Sequence, residues 1–320
     1  MSQKKNTSSS SVSSSSKKSE SEASASGSPQ FIEKQTGYFN AIDGTPIYYE
    51  VRGKGEPLVF IYGIACLMNH WHNQVEYFSK THQVILFDIR GHHKSTPVNN
   101  LNNLTYEHLA FDIKGLLKHL NLKQAHFVGH SFGVPYLIKT YEQFPELFSS
   151  MTFINGFARN PLKKLFGLEF VEPLFHFIRE QHRKYPDLWN NLWKGLIDNP
   201  VAFQIAALSG GFNIKLTQFK DIEMYGRGVS RLELPYFFEL FEQLLKFDAT
   251  DVLPRVACPT FVIAGDRDMI TPTSFQREMH DLVKHSEFLL IPYGSHCSQL
   301  DFPDYVNLKL ADFLARHKTT

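Results

Sequence analysis

Apolar residues in this chain fall into short unbroken runs separated by amphipathic stretches. The runs lie at 57–62 (PLVFIY), 84–88 (VILFD, closing on an aspartate), 126–128 (HFV), 151–154 (MTFI), 261–264 (FVIA) and 288–291 (FLLI). A continuous apolar run of this length, bounded by turn residues, marks a strand covered on both faces. Upstream, 38–41 and 47–51 flank Asp43-Gly44, the signature of a β-hairpin. Between the runs, apolar residues recur at helical spacing over 70–78, 106–120, 134–144, 273–283 and 305–316. Strands alternating with helices predict the α/β class, with a doubly wound, mostly parallel, eight-stranded sheet. Ligands of such sheets bind beyond the carboxyl ends of the strands.

The alternation breaks once. From 157 to 250 no strand pattern occurs, only helical stretches carrying Leu165, Phe166, Phe170, Leu174, Phe175, Phe177, Trp189, Leu192, Trp193, Phe237, Phe238 and Phe241. This predicts a helical cap inserted into an α/β core formed by 31–156 and 251–320. Most of its aromatics are expected simply to pack against one another.

The first thirty residues differ from everything after them. Positions 8–16 are serine apart from Val12, followed by Lys17-Lys18 and a mix of Ser, Glu, Ala and Gly. So little apolar surface does not offset the entropy of ordering, so 1–30 is expected to be a disordered, Ser-rich tail. Nothing apolar follows the lysines, which argues against a secretory signal. A solubilising or linking role is expected, with an organellar address as the alternative.

Composition removes several function classes. A net charge of +1 over 320 residues gives no electrostatic case for a nucleic-acid or membrane-surface partner. No apolar run approaches the roughly 18 residues that a membrane-spanning helix needs. The three cysteines, Cys66, Cys258 and Cys297, are widely separated and odd in number, against a disulfide framework or a zinc cluster. Reduced thiols and a cytoplasmic location are the expectation.

Chemistry concentrates at Gly129-His130-Ser131-Phe132-Gly133, a Gly-x-Ser-x-Gly set between a predicted strand and a predicted helix. On such a turn the serine is strained and its hydroxyl projects above the sheet edge, while the glycines avoid clashes with strand and helix. A nucleophilic serine needs a base, and the base needs a carboxylate to hold it. In this strand order the acid should come next and the histidine last, each at a strand end. Gly265-Asp266-Arg267-Asp268 closes the fifth apolar run and Tyr293-Gly294-Ser295-His296 closes the sixth. An oxyanion formed at Ser131 would find one donor in the backbone amide of Phe132, the residue after the nucleophile.

With these pieces in place the chain resembles the α/β-hydrolase fold family over about residues 35–317. It most resembles the capped branch of esterases, lactonases and cofactor-independent haloperoxidase-like enzymes. The resemblance rests on the serine motif, on Asp88-Ile89-Arg90-Gly91-His92-His93-Lys94-Ser95, on 259–268 and on Gly294-Ser295-His296. It implies a catalytic triad of Ser131, His296 and Asp268, with Asp266 as the fallback acid. It also implies a second oxyanion donor in the Ile64 amide, after the retained Gly63. Tyr62 stands where the family commonly has histidine.

His93 departs from the family's Arg-Gly-x-Gly-x-Ser and is expected to be a solvated loop residue, with a substrate contact or pH-sensitive group as the alternative. His70 and His72 are not expected to bind metal, since residues two apart on a helix diverge and no carboxylate is apparent nearby. Cys297, beside His296, is expected to be a packed small side chain. No haem, flavin or metal signature occurs, so neither cofactor nor metal is expected. Serine at the elbow sets aside the aspartate chemistry of dehalogenases and epoxide hydrolases of this architecture.

The resulting expectation is a serine hydrolase cleaving a carboxylic ester, lactone or thioester of a hydrophobic small molecule. The alternatives are a ligand sensor on the same fold with slow or no turnover, and a perhydrolase or haloperoxidase-like activity.

Overall fold

The computed structural model describes residues 33–162, 171–197 and 211–318. The Ser-rich tail at 1–30 and the apolar positions Leu165, Phe166 and Phe170 lie outside the described residues. Eight strands form one sheet: β1 (Lys34–Asn40), β2 (Pro46–Arg52), β3 (Glu56–Ile61), β4 (His82–Phe87), β5 (Ala125–His130), β6 (Phe148–Ile154), β7 (Thr260–Gly265) and β8 (Ser286–Ile291). Their spatial order is β1-β2-β4-β3-β5-β6-β7-β8. β2 pairs antiparallel with both β1 and β4, and the remaining neighbours are parallel. The strand order reverses at β3, which has β4 on one side and β5 on the other. That reversal opens a crevice beyond the carboxyl ends of β3 and β5.

The central strands are buried throughout β5 and β7, as continuous apolar runs require. β8 departs from that expectation. It is the last strand of the sheet, and Phe288 and Leu289 are only partly buried. An edge strand has a neighbour on one side only, so an apolar run there is not covered as completely as a central one. The Arg277 guanidinium shields Phe288 instead, 4.9 Å from its ring centre.

Helices α1 (His72–Phe78), α2 (Tyr106–His119) and α3 (Gly133–Gln143) follow β3, β4 and β5. Thr105 caps α2 by accepting a hydrogen bond from the His108 amide. Between β6 and β7 the described elements are helical: α4 (Val171–Lys184), α5 (Pro186–Ile197), α6 (Phe219–Arg231) and α7 (Leu234–Lys246). Chain segments entering and leaving this insertion run side by side. Asn160 N–H donates to Phe247 C=O at 2.8 Å, and Ala249 N–H donates to Ala158 C=O at 2.8 Å. Phe175, Leu234, Phe238 and Leu245 form a small core with Trp189, Trp193 and Phe241 packed on it. By contrast Tyr236, Leu240 and Leu244 belong to the main core. The chain closes with α8 (Thr273–Leu282), α9 (Ser298–Asp301) and α10 (Pro303–Arg316).

One charged group is buried under the loops that follow the sheet. Arg90 is fully buried, and its guanidinium forks onto both Asp112 carboxylate oxygens at 2.6 Å. It also donates to Asp43 at 3.1 Å and to the Asn103 carbonyl at 3.0 Å. A fully hydrogen-bonded guanidinium is tolerated inside a protein, whereas one stripped of its carboxylate is not. Asp112→Ala should therefore lower stability by about 3–5 kcal/mol, measured as a shift in the urea midpoint at unchanged slope.

Candidate functional site

Ser131 sits between β5 and α3 with φ of 52°, a left-handed conformation unusual for a residue with a side chain. Its amide donates to Ile154 C=O at 3.0 Å, and its carbonyl accepts from the Val134 amide at 3.0 Å. The flanking glycines are required by space. A Cβ on Gly133 would lie 2.4 Å from the Ile61 carbonyl oxygen, and one on Gly129 would lie 2.9 Å from the Gly133 carbonyl oxygen. Strand, turn and helix therefore close tightly around the serine.

His296 lies between β8 and α9. Its Nε2 is 2.8 Å from Ser131 Oγ, and its Nδ1 is 3.0 Å from Asp268 Oδ2 and 3.2 Å from Oδ1. The acceptor at Nδ1 is a carboxylate, so Nδ1 carries the proton and Nε2 presents a lone pair to the serine hydroxyl. Asp268 is buried and also accepts from the amides of Ile270 and Thr271 at 2.9 and 2.8 Å. Asp266, the alternative acid, is exposed. The structure thus brings together Ser131, His296 and Asp268, and leaves Asp266 outside.

Ile64 and Phe132 line the cavity that contains Ser131. Among the described residues neither of their amides donates to a protein acceptor. The cavity measures about 240 Å³, and most of its wall is apolar: Phe157, Leu162, Phe212, Phe241, Leu244 and Ile270. Several of these come from the helical insertion. Tyr62, in place of the family's histidine, is fully buried. Its hydroxyl donates to Asp88 at 3.1 Å and accepts from the Ile89 amide at 2.9 Å, tying the end of β3 to the loop after β4. Burial raises the Asp88 carboxyl to about 6, against the pull of its hydrogen bonds.

Two expectations need correcting. His93 is not solvated: it is partly buried with φ of 45°, and its Nε2–H donates to the Cys66 carbonyl at 2.7 Å. Its neighbour His92 accepts from the Ala65 amide at 3.1 Å, and burial holds its imidazole down at about 3. Both histidines clamp the 63–66 loop. A carboxylate does lie near His72, with Asp221 of α6 3.6 Å from Nε2. The two residues are far apart in sequence, and only the fold brings α6 onto the turn before α1. His70, by contrast, points inward and is buried against His130.

Three positioning residues escaped the sequence reading. Asn155, at φ of 46° after β6, donates from Nδ2 to the carbonyls of Ser295 and His296, both at 2.6 Å. Its Oδ1 accepts from the Gly265 amide at 2.9 Å, joining the histidine loop to the end of β7. The Thr271 hydroxyl lies 2.8 Å from both Asp268 Oδ2 and the Asn155 carbonyl. Asp301 accepts from the Ser295 amide at 2.6 Å and the Asn213 amide at 3.3 Å, linking the histidine loop to the insertion.

Known proteins share this fold. The profile of the alpha/beta hydrolase fold matches residues 56–303. A non-heme haloperoxidase of Rhodococcus erythropolis is 26% identical over 285 residues, which cover 87% of this chain and 98% of the relative. A thermophilic esterase from Thermogutta terrifontis superposes with a TM-score of 0.68 at 20% identity, covering 89% of this chain and all of the esterase chain (100%). A bromoperoxidase from Bacillus anthracis gives 0.70 at 20% identity, with coverage of 88% and 100%. With a profile match over most of its length and a sheet of the corresponding topology, the chain belongs to the alpha/beta hydrolase fold family.

Proposed function

We propose that this protein is a serine hydrolase that cleaves a carboxylic ester, lactone or thioester of a hydrophobic small molecule. The observation that carries the reading is the Ser131–His296–Asp268 hydrogen-bonded chain, opening into an apolar cavity. His296 Nε2 takes the Ser131 proton as Oγ attacks the substrate carbonyl. Asp268 keeps the imidazole oriented and stabilises its protonated form. The amides of Ile64 and Phe132 receive the developing oxyanion. Collapse of the tetrahedral intermediate releases the alcohol or thiol, protonated by His296, and leaves an acyl group on Ser131. Water, deprotonated by the same histidine, then frees the acid.

Residues 157–250 serve in this reading as a cap over the cavity. The paired segments at 158–160 and 247–249 support it as a neck, and Phe241 and Leu244 as the apolar roof. A cavity of about 240 Å³ is below the usual range for drug-sized ligands, which favours a small or short-chain acyl group. The three cysteines are free, in keeping with a cytoplasmic protein. Among the described residues no helix is long and apolar enough to cross a membrane. The haloperoxidase relative supports a secondary perhydrolase activity, in which hydrogen peroxide replaces water in attacking the same acyl-enzyme.

Two measurements test this. Nitrophenyl esters should be hydrolysed with a preference for butyryl over lauroyl of at least about tenfold, and Ser131→Ala should lose at least about a thousandfold in kcat. A folded protein whose turnover equals that of the mutant favours a sensor instead. Asn155→Ala removes the donor shared by two buried carbonyls and should cost about 1–3 kcal/mol in urea unfolding. It should also lower kcat by a larger factor than it raises KM, because the loop it releases carries His296.

A further inference from the structure

Beneath the Ser131–His296 pair lies a cluster that the proposed chemistry does not use. His70 belongs to the turn before α1, His130 ends β5, and Cys297 precedes α9. Their relative exposures are 3%, 1% and 1%. One donor atom from each lies within 4.8 Å of the other two. The two imidazole rings face each other with centres 4.7 Å apart.

His130 carries the decisive detail. Its Nε2–H donates to the His296 carbonyl at 2.8 Å, which makes Nδ1 the nitrogen with the free lone pair. That Nδ1 is buried and has no hydrogen-bond partner. A buried acceptor left empty is unusual enough to need a reason. An imidazole held by a backbone carbonyl on one nitrogen and free on the other is the arrangement that metal-ligating histidines adopt. The Gln299 side-chain amide lies against His70 Nε2 with its Oε1 buried and unpartnered; turned about, that Oε1 accepts from His70 Nε2–H and leaves the lone pair of the other ring nitrogen for a metal.

We propose that His70, His130 and Cys297 form a binding site for one soft d10 metal ion, Zn(II) or Cu(I). The geometry is close to what such an ion needs. A triangle with sides no longer than 4.8 Å has a point within about 2.8 Å of every corner, against bond lengths of roughly 2.0–2.3 Å to nitrogen and sulfur. Shifts of at most about 0.8 Å for the nitrogens and about 0.5 Å for the sulfur would close the difference. One thiolate and two imidazoles select soft ions and reject magnesium and calcium, which require oxygen ligands. Binding is a simple exchange: the Cys297 S–H proton leaves for solvent, an S–metal bond forms, and nothing is oxidised or reduced. Access runs through the substrate cavity, whose wall includes His130 and Cys297 together with Cys66 and Tyr225.

This site stands whether or not the hydrolase reading holds, and its test uses no turnover. The full-length protein, dialysed against chelator, is titrated with Cd(II) and followed by thiolate-to-cadmium absorption in the near ultraviolet. The expected result is saturation at one equivalent, with displacement of cadmium by Zn(II) or Cu(I), whichever is the preferred ion. Cys297→Ser should abolish the band and His70→Gln should weaken binding at least about tenfold, while Cys258→Ser keeps both. Circular dichroism checks that each variant is folded. No band in the folded parent protein, or a band that survives in Cys297→Ser, overturns the site.

Discussion

The backbone turn at Ser131 is the constraint on which the rest of the site depends. A left-handed residue bearing a side chain costs on the order of 1–2 kcal/mol, and here the cost is met by tight closure of strand onto helix. The Ser131 amide is fixed by Ile154 C=O, and Gly133 lets α3 approach the Ile61 carbonyl more closely than any other residue would allow. That closure brings the ends of β3 and β5 together at the reversal in strand order. It sets Ser131, Gly63 and the Phe132 amide around one small volume. The same strain recurs along the sheet. Ala65, His93, Ser131, Asn155 and Tyr293 all have positive φ, and they follow β3, β4, β5, β6 and β8 in turn. Strain concentrated along one rim of a sheet is characteristic of a functional edge.

A second joint aligns what the first creates. Three loops must agree to within a few tenths of an ångström for Ser131, His296 and Asp268 to share hydrogen bonds. Asn155 meets that demand by holding the Ser295 and His296 carbonyls with one end of its amide and the Gly265 amide with the other. Thr271 adds a link between Asp268 and the Asn155 backbone. Asp301 then fastens the histidine loop to the 213–217 segment through the Asn213 amide and the Thr217 hydroxyl. The loop that carries His296 and the 213–217 segment are therefore mechanically connected.

What could be read from the sequence follows from how local each signal is. The central strands showed as apolar runs because burial on both faces leaves no alternation. The elbow showed because its glycines and serine are consecutive. His296 and the Asp266-Arg267-Asp268 turn showed because both close strands in the order that this fold dictates, and the family resemblance singled out Asp268. Asn155, Thr271 and Asp301 did not, since their partners are mostly groups remote in sequence, several of them backbone atoms, to which composition is blind. His93 was misread for the same reason, its acceptor being the Cys66 carbonyl across the crevice. His70, His130 and Cys297 carry no common motif and converge only once β3, β5 and β8 lie in one sheet.

The central claim is that Ser131 is a nucleophile activated by His296. Intact-mass spectrometry after exposure to a fluorophosphonate, followed by peptide mapping, tests it most directly. One adduct per chain on Ser131, formed at least about a hundredfold more slowly in His296→Ala, is the expected result. Modification at another residue, or no adduct on the folded protein at any reagent concentration, would contradict it.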